Sequence, residues 1–292
     1  MSMNQSVLIC DQVNPVLNEI LEKNGLQITY EPEITPEQIL EKIENFEVII
    51  VRSRTKITKD MIEKANKCQI IARVGVGLDN IDQAAAKEKN IRVINAVEGA
   101  MNAVAELVLG LMLSLAREIP RADREVRNGN WIKKELMGTE LRGKYLGIVG
   151  LGNIGKRLGR LARALNMNII GYDVVPIDEE FSSEVGLMKA DLGTLLASSD
   201  YVSLHVPLLD STKHLINAEK MSTMKNTSRI INTSRGGVID EDALYEFLKD
   251  GKLGGAALDV FEVEPATSNK LASLPNFIST PHMGAQTKEA QS

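Results

Sequence analysis

Gly150-Leu151-Gly152-Asn153-Ile154-Gly155 stands between an apolar run, Leu146-Gly147-Ile148-Val149, and a stretch with helical periodicity over residues 156–165. In a strand, turn and helix of this kind each glycine has its own task. The first, Gly150, makes the tight turn; the second, Gly152, lets the backbone approach a pyrophosphate; the third, Gly155, packs the helix on the strand. The hexapeptide alone also fits an ordinary glycine-rich turn. The continuation decides between them, because a second apolar run, 169–172, ends at Asp173, 18 residues beyond Gly155. A carboxylate there accepts hydrogen bonds from the adenosine ribose and repels a 2′-phosphate. Val174-Val175-Pro176 offers no Arg to hold that phosphate, so NAD is expected over NADP.

Further strands are predicted C-terminal to this unit at 201–205, 229–232, 256–260 and 277–280. N-terminal to it they are predicted at 7–10, 27–30, 48–52, 70–74 and 91–94, alternating with helices. Thr35-Pro36-Glu37-Gln38 marks one helix start, with a capping Thr, Pro at the first helical position and Gln three residues after the cap. Residues 60–66 and 82–90 read as crossover helices. Residues 102–128 read as one long helix, apolar first and then charged, bridging two domains. The fold class is therefore α/β with two doubly wound parallel-sheet domains. A Rossmann NAD-binding domain is expected over 99–282 and a flavodoxin-like substrate domain over 1–98 with 283–292. A helix beginning near 287–290 is expected to be missing or cut short.

Composition narrows the function classes. Of 292 residues, 34 are Lys or Arg and 39 Asp or Glu, a net charge of -5 with no basic run, which argues against a nucleic-acid partner. The first ten residues lack a basic, apolar leader, so a cytoplasmic location is expected. The apolar run 107–116 is short for a membrane span and reads as a core helix, and no membrane partner is expected. Cys10 and Cys68 belong to no paired spacing and read as buried reduced thiols; no metal site is expected.

Three residues follow predicted strands in the C-terminal half. Arg235 sits in Asn232-Thr233-Ser234-Arg235-Gly236-Gly237, Glu264 in Asp259-Val260-Phe261-Glu262-Val263-Glu264-Pro265, and His282 in Thr280-Pro281-His282-Met283-Gly284. Strand carboxyl ends of a doubly wound sheet face the ligand crevice, so these three are expected to converge near a nicotinamide. An Arg there can grip a carboxylate and a carbonyl in bidentate fashion. A hydrogen-bonded structural histidine is the alternative for His282 taken alone, and the better reading for His205 and His214.

The sequence resembles the D-isomer-specific 2-hydroxyacid dehydrogenase family along nearly its whole length. The resemblance rests on Arg73-Val74-Gly75-Val76-Gly77-Leu78-Asp79-Asn80, the glycine loop, His205-Val206-Pro207-Leu208, Thr233-Ser234-Arg235-Gly236-Gly237, Ala257-Leu258-Asp259-Val260-Phe261 through Glu264-Pro265, and Pro281-His282-Met283-Gly284. It implies hydride transfer between NAD and C2 of a D-2-hydroxy acid. Arg235 would bind the substrate carboxylate and keto oxygen, His282 would exchange a proton with the C2 oxygen, and Glu264 would orient His282. Val74, Gly75, Val76 and Gly77 would offer backbone N–H groups to the carboxylate. Besides Gly150, Gly152, Asn153, Ile154, Gly155 and Asp173, the cofactor would touch Val206, Pro207, Thr212, Thr233, Ser234, Arg235, Asp259, His282 and Gly284. A homodimer built through residues 102–131 is implied as well. Val97 and Ala100 stand where family members often carry Pro and Asn, and no regulatory small-molecule domain is expected.

Arg52, Ser53 and Arg73 end predicted strands of the first domain and suit a phosphate on the substrate, with ordinary surface ion pairs as the alternative. The small-molecule substrate expected is the D-3-phosphoglycerate/3-phosphohydroxypyruvate couple of serine biosynthesis; glyoxylate or hydroxypyruvate is the alternative. Lys133 and Lys134 fit either a neighbouring subunit's site or an exposed charged loop. A non-catalytic NAD-sensing binding protein is the reading from another class.

Overall fold

Runs such as Val48-Ile49-Ile50-Val51, apolar on both faces, are what a parallel sheet covered by helices requires. The computed structural model describes residues 5–75 and 77–291, and the chain divides into two compact units, Met1–Ala100 with Ala285–Ser292 and Met101–Gly284.

Unit 1 contains β1 (Ser6–Ile9), α1 (Pro15–Lys23), β2 (Gln27–Tyr30), α2 (Pro36–Lys42), β3 (Val48–Val51), α3 (Lys59–Lys64), β4 (Ile70–Arg73), α4 (Gln83–Glu88) and β5 (Arg92–Asn95). Its strands are all parallel, in the order β2-β1-β3-β4-β5. The chain reverses direction across the sheet between β1 and β3, so the crevice of this unit lies at their carboxyl ends, at Asp11 and Arg52. The capping box is formed at α2: Thr35 Oγ1 accepts from Gln38 N–H and Gln38 Oε1 from Thr35 N–H. Cys10 and Cys68 are buried and unbridged, and burial pushes their thiols up to about 12 and about 11.

α5 (Val97–Arg117) carries the boundary at 100/101. Unit 2 continues with α6 (Ile119–Arg127), β6 (Tyr145–Val149), α7 (Asn153–Ala164), β7 (Asn168–Tyr172), α8 (Glu179–Val185), β8 (Met188–Lys189), α9 (Leu192–Ser198), β9 (Tyr201–Leu204), α10 (Ala218–Ser222), β10 (Arg229–Asn232), α11 (Glu241–Lys249), β11 (Gly255–Leu258) and β12 (Phe277–Ser279). The sheet order is β12-β11-β10-β9-β6-β7-β8, again all parallel, with the switch of direction between β6 and β9. After β12 the chain returns to unit 1 with α12 (Lys288–Gln291).

The α/β class and the two parallel sheets are those expected. The single helix expected over 102–128 is corrected to two, because Pro120 has no N–H for the Ala116 carbonyl and its ring crowds that carbonyl. Glu118 turns left-handed (φ 51°) and Thr139 N–H takes the Ala116 oxygen at 2.9 Å. The apolar stretch is also longer than its sequence suggested. Among the described residues, Gly99–Arg117 is long and apolar enough to cross a membrane, yet Ala105, Val108 and Met112 on it lie fully buried in the unit 2 core. The boundaries fall two residues beyond 98 and 282. Met283 and Gly284 stay with unit 2 because their N–H groups both bond to Asp259, at 2.9 and 2.8 Å.

Candidate active site

At the carboxyl end of β6, Gly150 takes φ 92°, and a Cβ there would stand 2.5 Å from the His205 carbonyl oxygen at the end of β9. A Cβ on Gly155 would stand 2.2 Å from the Gly150 oxygen. Both positions are closed by the chain itself. Gly152 is the opposite case, with nothing within 4 Å of a Cβ. It also caps α7 without any side chain, so the first N–H groups of that helix face outward with the positive end of the helix dipole behind them. Asp173 holds the loop: its carboxylate accepts from Leu151 N–H at 2.6 Å and Val175 N–H at 3.1 Å. Two residues before Arg235, Thr233 keeps a buried Oγ1 with no partner among the described residues. An open glycine at an uncapped helix start and an orphaned hydroxyl fit a dinucleotide.

Arg235 follows β10 on a turn built by Asn232, a residue the sequence reading passed over. The buried Asn232 side chain accepts from Ser234 N–H (3.0 Å) and Oγ (2.7 Å), and its Nδ2 donates to the Arg235 carbonyl at 2.8 Å. The signal was available, since Asn at a strand end before Ser is a common side-chain-to-backbone turn. Gly236 presses against the next loop: a Cβ there would fall 1.8 Å from the Phe261 carbonyl oxygen. That loop presents Glu264, whose Oε2 lies 2.9 Å from His282 Nδ1 and whose Oε1 accepts from Phe261 N–H at 3.0 Å. His282 sits in the left-handed region (φ 54°), a conformation that non-glycine residues adopt at a cost. What holds it there is Asp259. Fully buried, Asp259 accepts from Thr280 Oγ1 (2.6 Å), Met283 N–H and Gly284 N–H, so it positions the segment on either side of His282. Asp259, expected to touch the cofactor, thus also shapes the segment that carries His282. Thr212 closes its own turn, donating to Pro207 O at 2.6 Å and accepting from Leu209 N–H at 2.8 Å. The loop that Thr212 closes begins at Val206, partly buried against the core, and Pro207, which is exposed.

In unit 1, Asp11 organises residues 52–55. This buried carboxylate accepts from Arg52 N–H, from Thr55 Oγ1 at 2.8 Å and from Arg54 Nε at 3.0 Å, while Asn80 Nδ2 donates to the carbonyls of Arg52 and Thr55, both at 2.6 Å. Arg54 spends its remaining donors on the carbonyls of Cys10, Pro32 and Ile34. The Arg52 guanidinium makes one such bond, to Gln12 O at 3.2 Å, and Ser53 is exposed. Arg73 ends β4 with its guanidinium against the Cα of Gly75, where a Cβ would stand 2.0 Å from Nη1. Val74 and Gly77 are partly buried; Val76 lies outside the described residues. His205 bonds to the buried Ser203 Oγ at 2.9 Å, and burial pushes its imidazole down to about 4. His214, read as an exposed structural residue, pairs with Glu262 at 3.0 Å. Lys133 and Lys134 are exposed.

Residues 109–284 match the family model described as D-isomer specific 2-hydroxyacid dehydrogenase, NAD binding domain. The chain is also 47% identical over 275 residues to the hydroxypyruvate reductase of Thermotoga maritima, covering 93% of this chain and 88% of that protein. The chain belongs to the D-isomer-specific 2-hydroxyacid dehydrogenase family. Another relative, D-3-phosphoglycerate dehydrogenase of Methanocaldococcus jannaschii, is 47% identical over 286 residues, 98% of this chain and 54% of that protein. The chain thus spans about half the length of the phosphoglycerate dehydrogenases it matches. Among solved structures of the family, a glyoxylate reductase from Paecilomyes thermophila superposes with a TM-score of 0.92 at 31% identity, covering 99% of this chain and 92% of that one. Within the family's NAD-binding domain fall Gly150 to Gly155, Asp173, Arg235, Glu264 and His282.

Proposed function

We propose that this protein is an NAD-dependent D-2-hydroxyacid dehydrogenase acting on D-3-phosphoglycerate and 3-phosphohydroxypyruvate, the oxidation that opens serine biosynthesis. The single observation that carries the reading is the pair Glu264–His282, with Nδ1 committed to the carboxylate. That leaves Nε2, which has no partner among the described residues, to take a proton from the C2 hydroxyl or return it to the C2 oxygen. When bound, NAD would be held by Gly152 and the first N–H groups of α7 and would supply the hydride acceptor or donor. Arg235 holds the carboxylate and polarises the C2 oxygen. Asp173 accepts from the adenosine ribose. Val74, Gly75, Val76 and Gly77 supply backbone donors to the carboxylate, and Arg52, Ser53 and Arg73 take the phosphate. The remaining cofactor contacts proposed are Gly150, Asn153, Ile154, Gly155, Val206, Pro207, Thr212, Thr233, Ser234, Arg235, Asp259, His282 and Gly284.

A second reading, a reductase of glyoxylate or hydroxypyruvate, is favoured by the Thermotoga relative, which the chain matches over more of its length than it does the phosphoglycerate enzymes. NADH oxidation measured in parallel on 3-phosphohydroxypyruvate, hydroxypyruvate and glyoxylate separates the two. A kcat/KM highest on the phosphorylated substrate supports the first; equal or higher values on glyoxylate overturn it.

We further propose a cytoplasmic homodimer that engages neither membrane nor nucleic acid. Leu113, Ile119, Val126 and Trp131 expose apolar surface on and after α5 and α6, and Trp131 is 82% exposed in the single chain. A second copy covering residues 102–131 would remove that surface from water. Sedimentation of the wild-type chain and of Trp131→Glu tests this.

A further inference from the structure

We propose that Glu262 is a positioning residue for the reactive pair: it anchors the loop that presents Glu264, through a polar brace to Glu241 and His214. The kinetic part rests on the dehydrogenase reading above; the structural part does not.

The loop has little apolar support of its own. Phe261 is buried at its start, but Val263, between the two glutamates, is 76% exposed. Its fixed points are polar. Glu262 N–H donates to Glu241 Oε1 at 2.6 Å, and Glu262 Oε1 accepts in return from Glu241 N–H at 3.3 Å, at the first turn of α11. The same Oε1 faces His214 Nε2 at 3.0 Å. His214 is in turn fixed by its own N–H, which donates to the Gly237 carbonyl at 2.8 Å in the turn that carries Arg235. Asn269 Nδ2 completes the brace on Glu241 Oε2 at 2.7 Å. The charged groups around it are Asp242 and its partner Lys270, 2.6 Å apart.

These bonds form a closed circuit. The Arg235 turn touches the Phe261–Glu262 peptide through Gly236, and the Glu262 side chain returns to that turn through His214. Two residues further on, Glu264 reaches His282. The arrangement therefore ties the Arg235 turn to the loop that carries Glu264. Burial raises the Glu241 carboxyl above its ordinary range, while the Glu262 and His214 side chains remain 38% exposed.

The chain has three histidines, so nitrogen-15 NMR of histidine-labelled protein can follow His282 directly. In the wild type, its Nδ1 should carry the proton shared with Glu264. In Glu262→Ala that signature should be replaced by a mixture of tautomers, and kcat on 3-phosphohydroxypyruvate should fall about 10- to 100-fold, as expected for a misplaced reacting group, with NADH affinity little changed. Glu262→Gln keeps an acceptor and should restore the signature. If Glu262→Ala folds with the His282 signature and kcat unaltered, the brace merely supports the fold and the proposal is overturned. Should that variant not fold, His214→Ala at a half-exposed position takes its place, and an unaltered signature there overturns the proposal equally. Wild-type protein that reduces no 2-oxo acid would refute the dehydrogenase reading and leave the His282 spectrum to decide the brace.

Discussion

Gly155 lies so close to Gly150 that a Cβ on it would stand 2.2 Å from the Gly150 carbonyl oxygen, whereas a Cβ on Gly152, between them, would meet nothing within 4 Å. The two glycines thus serve different ends. Gly155→Ala should destabilise unit 2 by about 1–3 kcal/mol, because backbone must shift to admit the methyl group. Gly152→Ala should leave the melting temperature unchanged and weaken NADH binding at least about tenfold, if the open space belongs to a pyrophosphate. Thermal unfolding and NADH titration of both variants check the pair; unimpaired NADH binding by Gly152→Ala would remove the loop from the cofactor site.

Asp173 should set cofactor choice. Asp173→Ser removes the ribose acceptor and the repulsion of a 2′-phosphate together, and it also releases Leu151 N–H. The ratio of kcat/KM for NADH over NADPH should fall by about tenfold or more, one lost charge-assisted bond. A wild type that already uses both equally would contradict this role.

The arginines at the end of β3 should behave oppositely. Arg52→Ala should raise KM for 3-phosphohydroxypyruvate by about 10- to 150-fold, the worth of one charge-assisted hydrogen bond, and leave glyoxylate kinetics unaltered. Arg54 is instead occupied by Asp11 and three carbonyls, so Arg54→Ala should lower stability and affect both substrates alike. Steady-state kinetics on the two substrates, with a denaturation curve for each variant, distinguishes them. Phosphate-selective loss in Arg54→Ala rather than Arg52→Ala would reverse the assignment.

His282→Ala should lower turnover by on the order of 10²–10⁴, the usual worth of a positioned acid–base group, while NADH still binds. Near wild-type turnover would take His282 out of the mechanism.

Acid stability should report on His205. Its native imidazole stays neutral down to about pH 4, against an ordinary value of 6.5, so below 6.5 the unfolded chain takes up a proton that the folded chain refuses. Stability from this group is full above that pH and lost as pH falls towards 4. His205→Gln, which keeps a partner for Ser203, should flatten the fall in urea midpoint across this window; an unchanged slope would locate the acid sensitivity elsewhere.

What the sequence made legible was whatever repeats locally. The strand, glycine turn and helix around Gly150, the capping box at Thr35 and the alternation of apolar runs each announce themselves within a few residues. β8 did not, because a two-residue edge strand with both side chains exposed carries no apolar pattern. The break at Glu118 was missed although Pro120 signalled it, since the charged stretch that follows is itself a good helix. In the site, Arg235, Glu264 and His282 stood out as chemical groups at strand ends. Asp11, Asn232 and Glu262 did not, and Asp259 entered only through the family resemblance. Asp11, Asp259 and Glu262 act on backbone N–H groups or side chains brought near by the fold, which no spacing in the chain encodes, whereas the partners of Asn232 are its near neighbours Ser234 and Arg235 and its turn was legible locally.

The division of the chain has a consequence for its synthesis. Every strand of the first sheet lies before residue 96, whereas α12 and its neighbours in unit 1 are made only after the whole of unit 2. A ribosome working at roughly 5–20 residues per second therefore exposes a complete set of unit 1 strands for about ten seconds or more before residues 285–292 emerge. During that interval the first sheet can assemble from its own β-α-β crossovers, and the late segment docks onto a finished body rather than taking part in its nucleation.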